Sequence, residues 1–184
     1  MTDPRARDVL TFWFDETSPK QWFKSDPAFD EVIRERFGAV HEEAAAGHCE
    51  GWLETGEGAL ALVILLDQFS RNLYRGDARA FAQDQNARDC ADRALEKGHD
   101  IVCRDDRRAF FYMPYMHAED LEIQEKCIAL IRERLGEDSG NVPYAIWHRD
   151  LIQEYGRFPF RNKALGREST PEEIAYLNKK NTSG

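Results

Sequence analysis

Close cysteine pairs are missing from this chain. Cys49, Cys90, Cys103 and Cys127 lie far apart, with no C-x-x-C between them. That spacing excludes the paired ligands of most structural zinc sites. The opening MTDPRARD has no apolar leader segment, so a secreted disulfide framework is not expected and the thiols read as reduced. Long apolar runs are missing too. The longest, ALALVILL at 59–66, is far short of the roughly 20 residues a spanning helix needs, so no membrane partner is expected. Nor is there an excess of positive charge: 25 Lys and Arg against 34 Asp and Glu give a formal net charge of -9. This argues against a general nucleic-acid binder, whose affinity comes from neutralising phosphates. Familiar catalytic signatures are absent as well. There is no G-x-S-x-G elbow and no P-loop, and H-R-D-L at 148–151 has neither the Gly-rich loop nor the D-F-G of a kinase, with Tyr155 where the kinase loop carries asparagine. Neither strand alternation nor a repeat of fixed period is visible.

What is present is helical punctuation. Asp3-Pro4 and Asp26-Pro27 each set an N-cap acid before a first-turn proline, and Thr170-Pro171-Glu172-Glu173 forms a capping box. Phe29, Val32, Ile33, Phe37 and Val40 recur at helical spacing, as do Tyr144, Trp147, Leu151, Ile152 and Tyr155. Further helices are expected at about 57–75, 78–97, 105–116 and 119–135, with Gly76, Gly98 and Gly136 as C-terminal caps. Connections this short predict layered antiparallel helical hairpins. A length of 184 residues with 42% hydrophobic content predicts one all-α domain over 1–184, with disorder only in a tail at about 180–184. Trp13, Trp22 and Trp52 are assigned to packing.

ALALVILL is apolar on every side, which predicts a helix buried at the centre of the fold. It runs directly into LDQFSRNLYRGD, where Asp67 and Arg71 are one turn apart, as are Gln68 and Asn72. Buried charges without partners are severely unfavourable, so these groups must belong to a network.

The cations pose the opposite question. Arg157, Arg161, Lys163 and Arg167 crowd into RFPFRNKALGRES at 157–169, interleaved with Phe158 and Phe160. Two readings stay open. In one, the segment is a strap whose Arg157 and Arg161 guanidiniums lie bidentate on Asp67, Glu119 or Asp120. In the other, a surplus of arginine forms a site for a small anionic metabolite, with His117 or His148 as a proton carrier near neutral pH. His148 shares a face with core residues and reads as a hydrogen-bonded core histidine first. His117 follows Pro114 in FFYMPYM, an irregular stretch that can open a side chain to a cleft. His117, Glu119 and Asp120 lack any H-E-x-x-H pattern or second ligand pair, so no metal and no cofactor are assigned.

LLDQFSRNLYRGDARAFAQD, FFYMPYMHAEDLEIQ and HRDLIQEYGRFPFRNKALGRESTPEEIAYL, together with DVLTFWF and WFKSDPAFDEVIRERFG, resemble the bacterial family known as domain of unknown function 924 over nearly the whole chain. The resemblance implies a tetratricopeptide-like, all-helical, cytoplasmic protein with no established reaction. Its signature positions fall here on Asp67, Gln68, Arg71, Asn72, Arg75, His117, Glu119, Asp120, Gly156, Arg157, Arg161 and Asn162. Phe160 stands where the family pattern has histidine, and Ser70 where it commonly has proline. Two functional readings follow. One is a ligand site lined by Asp67, Gln68, Arg71, Asn72, Arg75, Arg157, Arg161 and Asn162, in which the four arginines hold the anion and His117 with Asp120 or Glu119 serves as catalytic acid or base. The other is a helical module that binds a peptide or protein on a concave surface. A closed structural network is the third possibility.

Overall fold

The structure is a computed structural model that describes residues 1–182, and the side chains of all of these except residues 105 and 180–182. The chain is all-α, with no strand among the described residues. It packs as two compact units, an N-terminal one of residues 1–75 and 79–114 and a C-terminal one of residues 76–78 and 115–184.

In the N-terminal unit the long helices are α1 (Pro4–Thr11), α2 (Pro27–Ala45), α3 (Gly56–Ile64) and α4 (Asp84–Glu96). The expected caps are in place. Asp3 accepts the Arg5 backbone N–H, and Asp26 accepts those of Ala28 and Phe29, each before a first-turn proline. Helix α3 packs against α1, α4 and the 3-10 turn Glu50–Glu54, and every residue from Gly58 to Ile64 is buried. Gly58 is required there, because a Cβ at that position would lie 2.2 Å from the Trp52 carbonyl oxygen. Phe29, Ile33 and Phe37 of α2 are buried as their spacing predicts, whereas Val32 is exposed at the edge of that stripe. Trp13 and Trp52 are buried, and half-buried Trp22 stacks on Trp13 with ring centroids 5.7 Å apart.

Two π-turns interrupt the helical ladder, Phe12–Glu16 after α1 and Leu65–Phe69 after α3. Lengthening the hydrogen-bond step leaves carbonyls that an α-helix would have used. Side chains take them up. Thr17 Oγ1 and Trp22 Nε1 donate to the Trp13 carbonyl at 2.6 and 2.8 Å. Ser70 Oγ and Arg71 Nη1, each four residues on, donate to the carbonyls of Leu66 and Asp67, both at 2.6 Å. The helix expected over 57–75 is thus one continuous rod with a π-turn inside it, carried on by Ser70–Leu73.

The segment expected as a helix over 105–116 is broken. Asp105–Arg108, a 3-10 turn at Ala109–Phe111 and Met113–Met116 follow in succession, with Pro114 in the first turn of the last piece, where its missing N–H is harmless. The helix expected at 78–97 likewise opens as a 3-10 turn, Ala78–Phe81, before α4.

The C-terminal unit holds α5 (Leu121–Leu135), α6 (Asn141–Tyr155) and α7 (Pro171–Thr182). α5 and α6 pack against each other across a connection of residues 136–140, too short for anything but an antiparallel hairpin. Gly156 ends α6 at φ 69°, a left-handed cap in which its N–H reaches the Ile152 carbonyl at 2.8 Å. Leu151, Ile152 and Phe158 form a buried cluster with Trp147, Tyr155 and Tyr176 packed around it. The tail expected to be disordered at about 180–184 overlaps the last turn of α7, which runs to Thr182; residues 183 and 184 lie outside the described residues.

Candidate functional site

The sequence-predicted residues divide between the two units. Asp67, Gln68, Arg71, Asn72 and Arg75 belong to the N-terminal unit, and His117, Glu119, Asp120, Arg157, Arg161 and Asn162 to the C-terminal one.

The N-terminal group forms two ion-pair knots. Asp67 is fully buried in the π-turn, takes a hydrogen bond from Gln68 Nε2, and lies 3.1 Å from Arg71 Nη1. The same Nη1 is 3.0 Å from Asp84 Oδ1 on α4. The expected pairing of Gln68 with Asn72 does not form. Gln68 instead reaches Met113 Sδ at 3.4 Å, and Asn72 donates to Asp30 on α2 at 2.8 Å. Arg75 closes a fork on Asp30, Nε to Oδ2 at 2.6 Å and Nη2 to Oδ1 at 2.8 Å. Burial pushes the Asp30 carboxyl pKa up, but Arg75 and Asn72 outweigh it and hold the pKa below the ordinary carboxylate range. Asp30 and Asp84 are acids in the first turns of their helices, and nothing local in the sequence distinguishes them from helix-capping charges.

In the C-terminal unit the basic stretch is fastened by two forks. Arg157 meets Glu173 through Nε–Oε1 at 2.7 Å and Nη2–Oε2 at 2.9 Å, and Arg167 meets Glu119 through Nη1–Oε1 at 2.9 Å and Nη2–Oε2 at 2.7 Å. Glu173 also accepts from Asn162 Nδ2 and from the Thr170 backbone N–H, and its own N–H returns to Thr170 Oγ1, which completes the capping box. Arg157 therefore holds the Glu173 pKa down to about 2 against the desolvation that would raise it. Glu119 in addition accepts the Phe158 backbone N–H at 2.9 Å. Burial raises its pKa, while Arg167, Phe158 and Arg161 together bring it below the usual value, so it is a fixed anion rather than a proton donor. Asp120 caps α5, accepting the Ile123 N–H at 3.0 Å. The strap reading names Arg157 and Arg161 on Asp67, Glu119 or Asp120; the forks that form are Arg157 on Glu173 and Arg167 on Glu119, while Arg161 donates to a main-chain carbonyl. The capping box marks Glu173 in the sequence as a helix cap and says nothing of its pairing with Arg157.

Arg161 is buried, donates from Nη2 to the His117 carbonyl at 2.9 Å, and places its guanidinium 4.7 Å over the Phe158 ring. Around it lies a cluster of rings that the sequence reading treated one residue at a time. His117 and His148 have ring centroids 6.1 Å apart. Trp147 stands edge-on to His148 at 4.6 Å and lies nearly parallel to Phe160 at 6.2 Å. His148 Nδ1 is 2.8 Å from the Tyr144 carbonyl. A carbonyl only accepts, so Nδ1 carries the proton and the neutral ring keeps its lone pair on Nε2. His148 is half-buried and not a core histidine. Phe160 is 40% exposed.

Among the described residues no three His, Cys, Asp or Glu side chains are grouped to hold a metal ion, and no helix is long and apolar enough to cross a membrane. No curated protein matches the chain. A solved structure of a protein of unknown function from Agrobacterium tumefaciens is similar to it, at 43% sequence identity and a TM-score of 0.88, covering 95% of this chain and 97% of that one. The model of one family, the bacterial proteins of unknown function termed DUF924, matches residues 9–181. The chain belongs to that family.

Proposed function

We propose that the chain binds a small anionic ligand at the ring cluster of its C-terminal unit, with His117 and His148 as the groups that exchange protons with it. The observation that carries this reading is the imidazole pair, 6.1 Å apart, beside the parallel rings of Trp147 and Phe160. A histidine whose tautomer is set by a main-chain carbonyl presents a proton acceptor in a fixed direction, which is what general acid–base work requires. Trp147 and Phe160 supply an apolar wall with an exposed edge. Arg161, Asn162 and Arg157 shape this site from behind, and Arg161 contributes positive potential. Glu119 and Asp120, expected as acid or base, serve in this reading as the fork that holds Arg167 and as a helix cap. Asp67, Gln68, Arg71, Asn72 and Arg75 serve the N-terminal unit as a closed network rather than as ligand contacts. The fold reading that goes with it is a tetratricopeptide-like arrangement of hairpins, for which the antiparallel α5–α6 pair is the supporting observation; a cytoplasmic location is part of the same proposal.

The test is a melting-shift and calorimetric panel of phosphorylated and carboxylated metabolites. A hit should raise the melting temperature of the wild type by several degrees at 100 Kd or more. His148→Gln and Phe160→Ala should each weaken that hit at least tenfold. A panel without any hit, or a hit that both variants bind unchanged, rejects the reading. A second reading, a peptide-binding module, draws on exposed Leu121, Tyr144 and Phe160; it predicts instead that inorganic and small organic anions leave the protein unshifted.

A further inference from the structure

A pocket of about 300 Å³ opens in the N-terminal unit between α1, α3 and residues 99–107. Its floor is apolar, formed by the buried side chains of Leu10 and Leu60. At its edge Val102 is 81% exposed and the adjacent Ile101 55% exposed, so two large aliphatic side chains meet water where a core contact would ordinarily cover them. The polar wall carries two guanidiniums: Arg104 and Arg107 line the pocket together with His99, against one acid, Glu57, which accepts the Thr2 hydroxyl at 2.9 Å.

The wall is fixed before any ligand arrives. Arg108 Nη2 donates to the carbonyls of Ile101 and Cys103 at 3.0 and 3.1 Å, and His99 Nε2 lies 3.2 Å from the Leu53 carbonyl, which ties the segment to the turn before α3. Arg107 sits 4.5 Å over the Phe14 ring with Nη2 on Asp15 at 3.1 Å. Among the described residues its buried Nε has no hydrogen-bond acceptor. A buried guanidinium donor left in that state calls for one. Arg104 forms a surface pair with Asp106, at 2.9 Å with both side chains well exposed, and such pairs are worth little and are readily exchanged.

We propose that this pocket binds a short-chain aliphatic carboxylate. The carboxylate is shared between the guanidiniums of Arg107 and Arg104, whose planar forks match it. The hydrocarbon tail lies on Leu10 and Leu60 under Val102. The small volume, at the lower end of ligand pockets, keeps the tail short. This site does not depend on the His117–His148 reading, since its residues belong to the other unit.

Cys103 lines the same pocket and reports on it. The test is the rate of Cys103 alkylation by iodoacetamide, followed by peptide mass spectrometry, with hexanoate, hexylamine or inorganic phosphate present. Hexanoate should slow alkylation of Cys103 at least threefold and leave Cys90, which lies outside the pocket, unchanged; hexylamine and phosphate should protect little. Arg107→Gln should abolish the protection, and Arg104→Gln, at an exposed position that does not endanger folding, should weaken it. Equal protection by hexylamine, full protection in Arg104→Gln and Arg107→Gln alike, or no protection by hexanoate would overturn the proposal.

Discussion

The polar residues of this fold are fixed by where their protons have to be. His41 is 2% exposed, with Nε2 2.7 Å from Ser70 Oγ. The Ser70 hydroxyl hydrogen is already committed to the Leu66 carbonyl, so His41 is the donor in this pair. Burial lowers its pKa from 6.5 to about 4. The sign follows directly. Between those two values the unfolded chain binds a proton that the folded chain refuses, so stability is complete above about pH 6.5 and declines as pH falls toward 4. His41→Gln keeps a donor for Ser70 but has no imidazole to titrate. Urea unfolding of the two proteins at pH 7.5 and pH 5 should show a smaller loss on acidification in the variant; an identical loss would remove His41 from the account. Ser70 thus meets both the π-turn carbonyl of Leu66 and His41.

At the level of elements, caps and the central helix were legible because each is written in adjacent residues. Asp3-Pro4, Asp26-Pro27 and the Thr170–Glu173 box all form, and ALALVILL is buried throughout. The π-turns were not legible, since a lengthened hydrogen-bond step leaves no mark on apolar spacing. The break within 105–116 was half legible in Pro114, but the separate 3-10 turn over Ala109–Phe111 was not. Glycine gives a sharp test of the α3 packing. Gly58→Ala should destabilise by about 1–3 kcal/mol or more, because the Trp52 carbonyl that blocks the new methyl is backbone and cannot turn aside. Gly38→Ala in α2, where a methyl meets nothing within 4 Å, should stabilise by up to about 1 kcal/mol. Chemical denaturation of both variants settles it, and equal effects would contradict the packing described.

At the scale of the whole molecule, an acidic chain keeps its cations by pairing them with buried or half-buried acids far along the sequence. Arg157 with Glu173, Arg167 with Glu119 and Arg75 with Asp30 are forks of this kind. The sequence showed that the cluster at 157–169 needed partners, and it named Glu119; Glu173 and Asp30 stayed hidden because pairing across 16 and 45 residues has no local signature. Glu173 has its pKa held at about 2, chiefly by Arg157, so its contribution to stability is whole above the ordinary value of 4.5 and is lost as pH falls from there toward 2. Glu173→Gln should lower the melting temperature at pH 7 by a few degrees and flatten the acid limb of the stability curve over that interval. A variant that melts like the wild type at pH 7 and loses stability as steeply in acid would show that the fork carries no weight. With these cations engaged in forks, the proposed ligand role is assigned to the rings of the C-terminal unit rather than to the arginines.

The most direct measurement of that claim is the long-range proton–nitrogen NMR spectrum of histidine-labelled protein, recorded with and without the best anion from the panel. The account predicts that His148 is protonated on Nδ1 when neutral, and that the ring nitrogens of His117 and His148 shift together on binding while those of His41 stay in place. A His148 ring protonated on Nε2, or anion binding that leaves both C-terminal imidazoles unmoved, would contradict it.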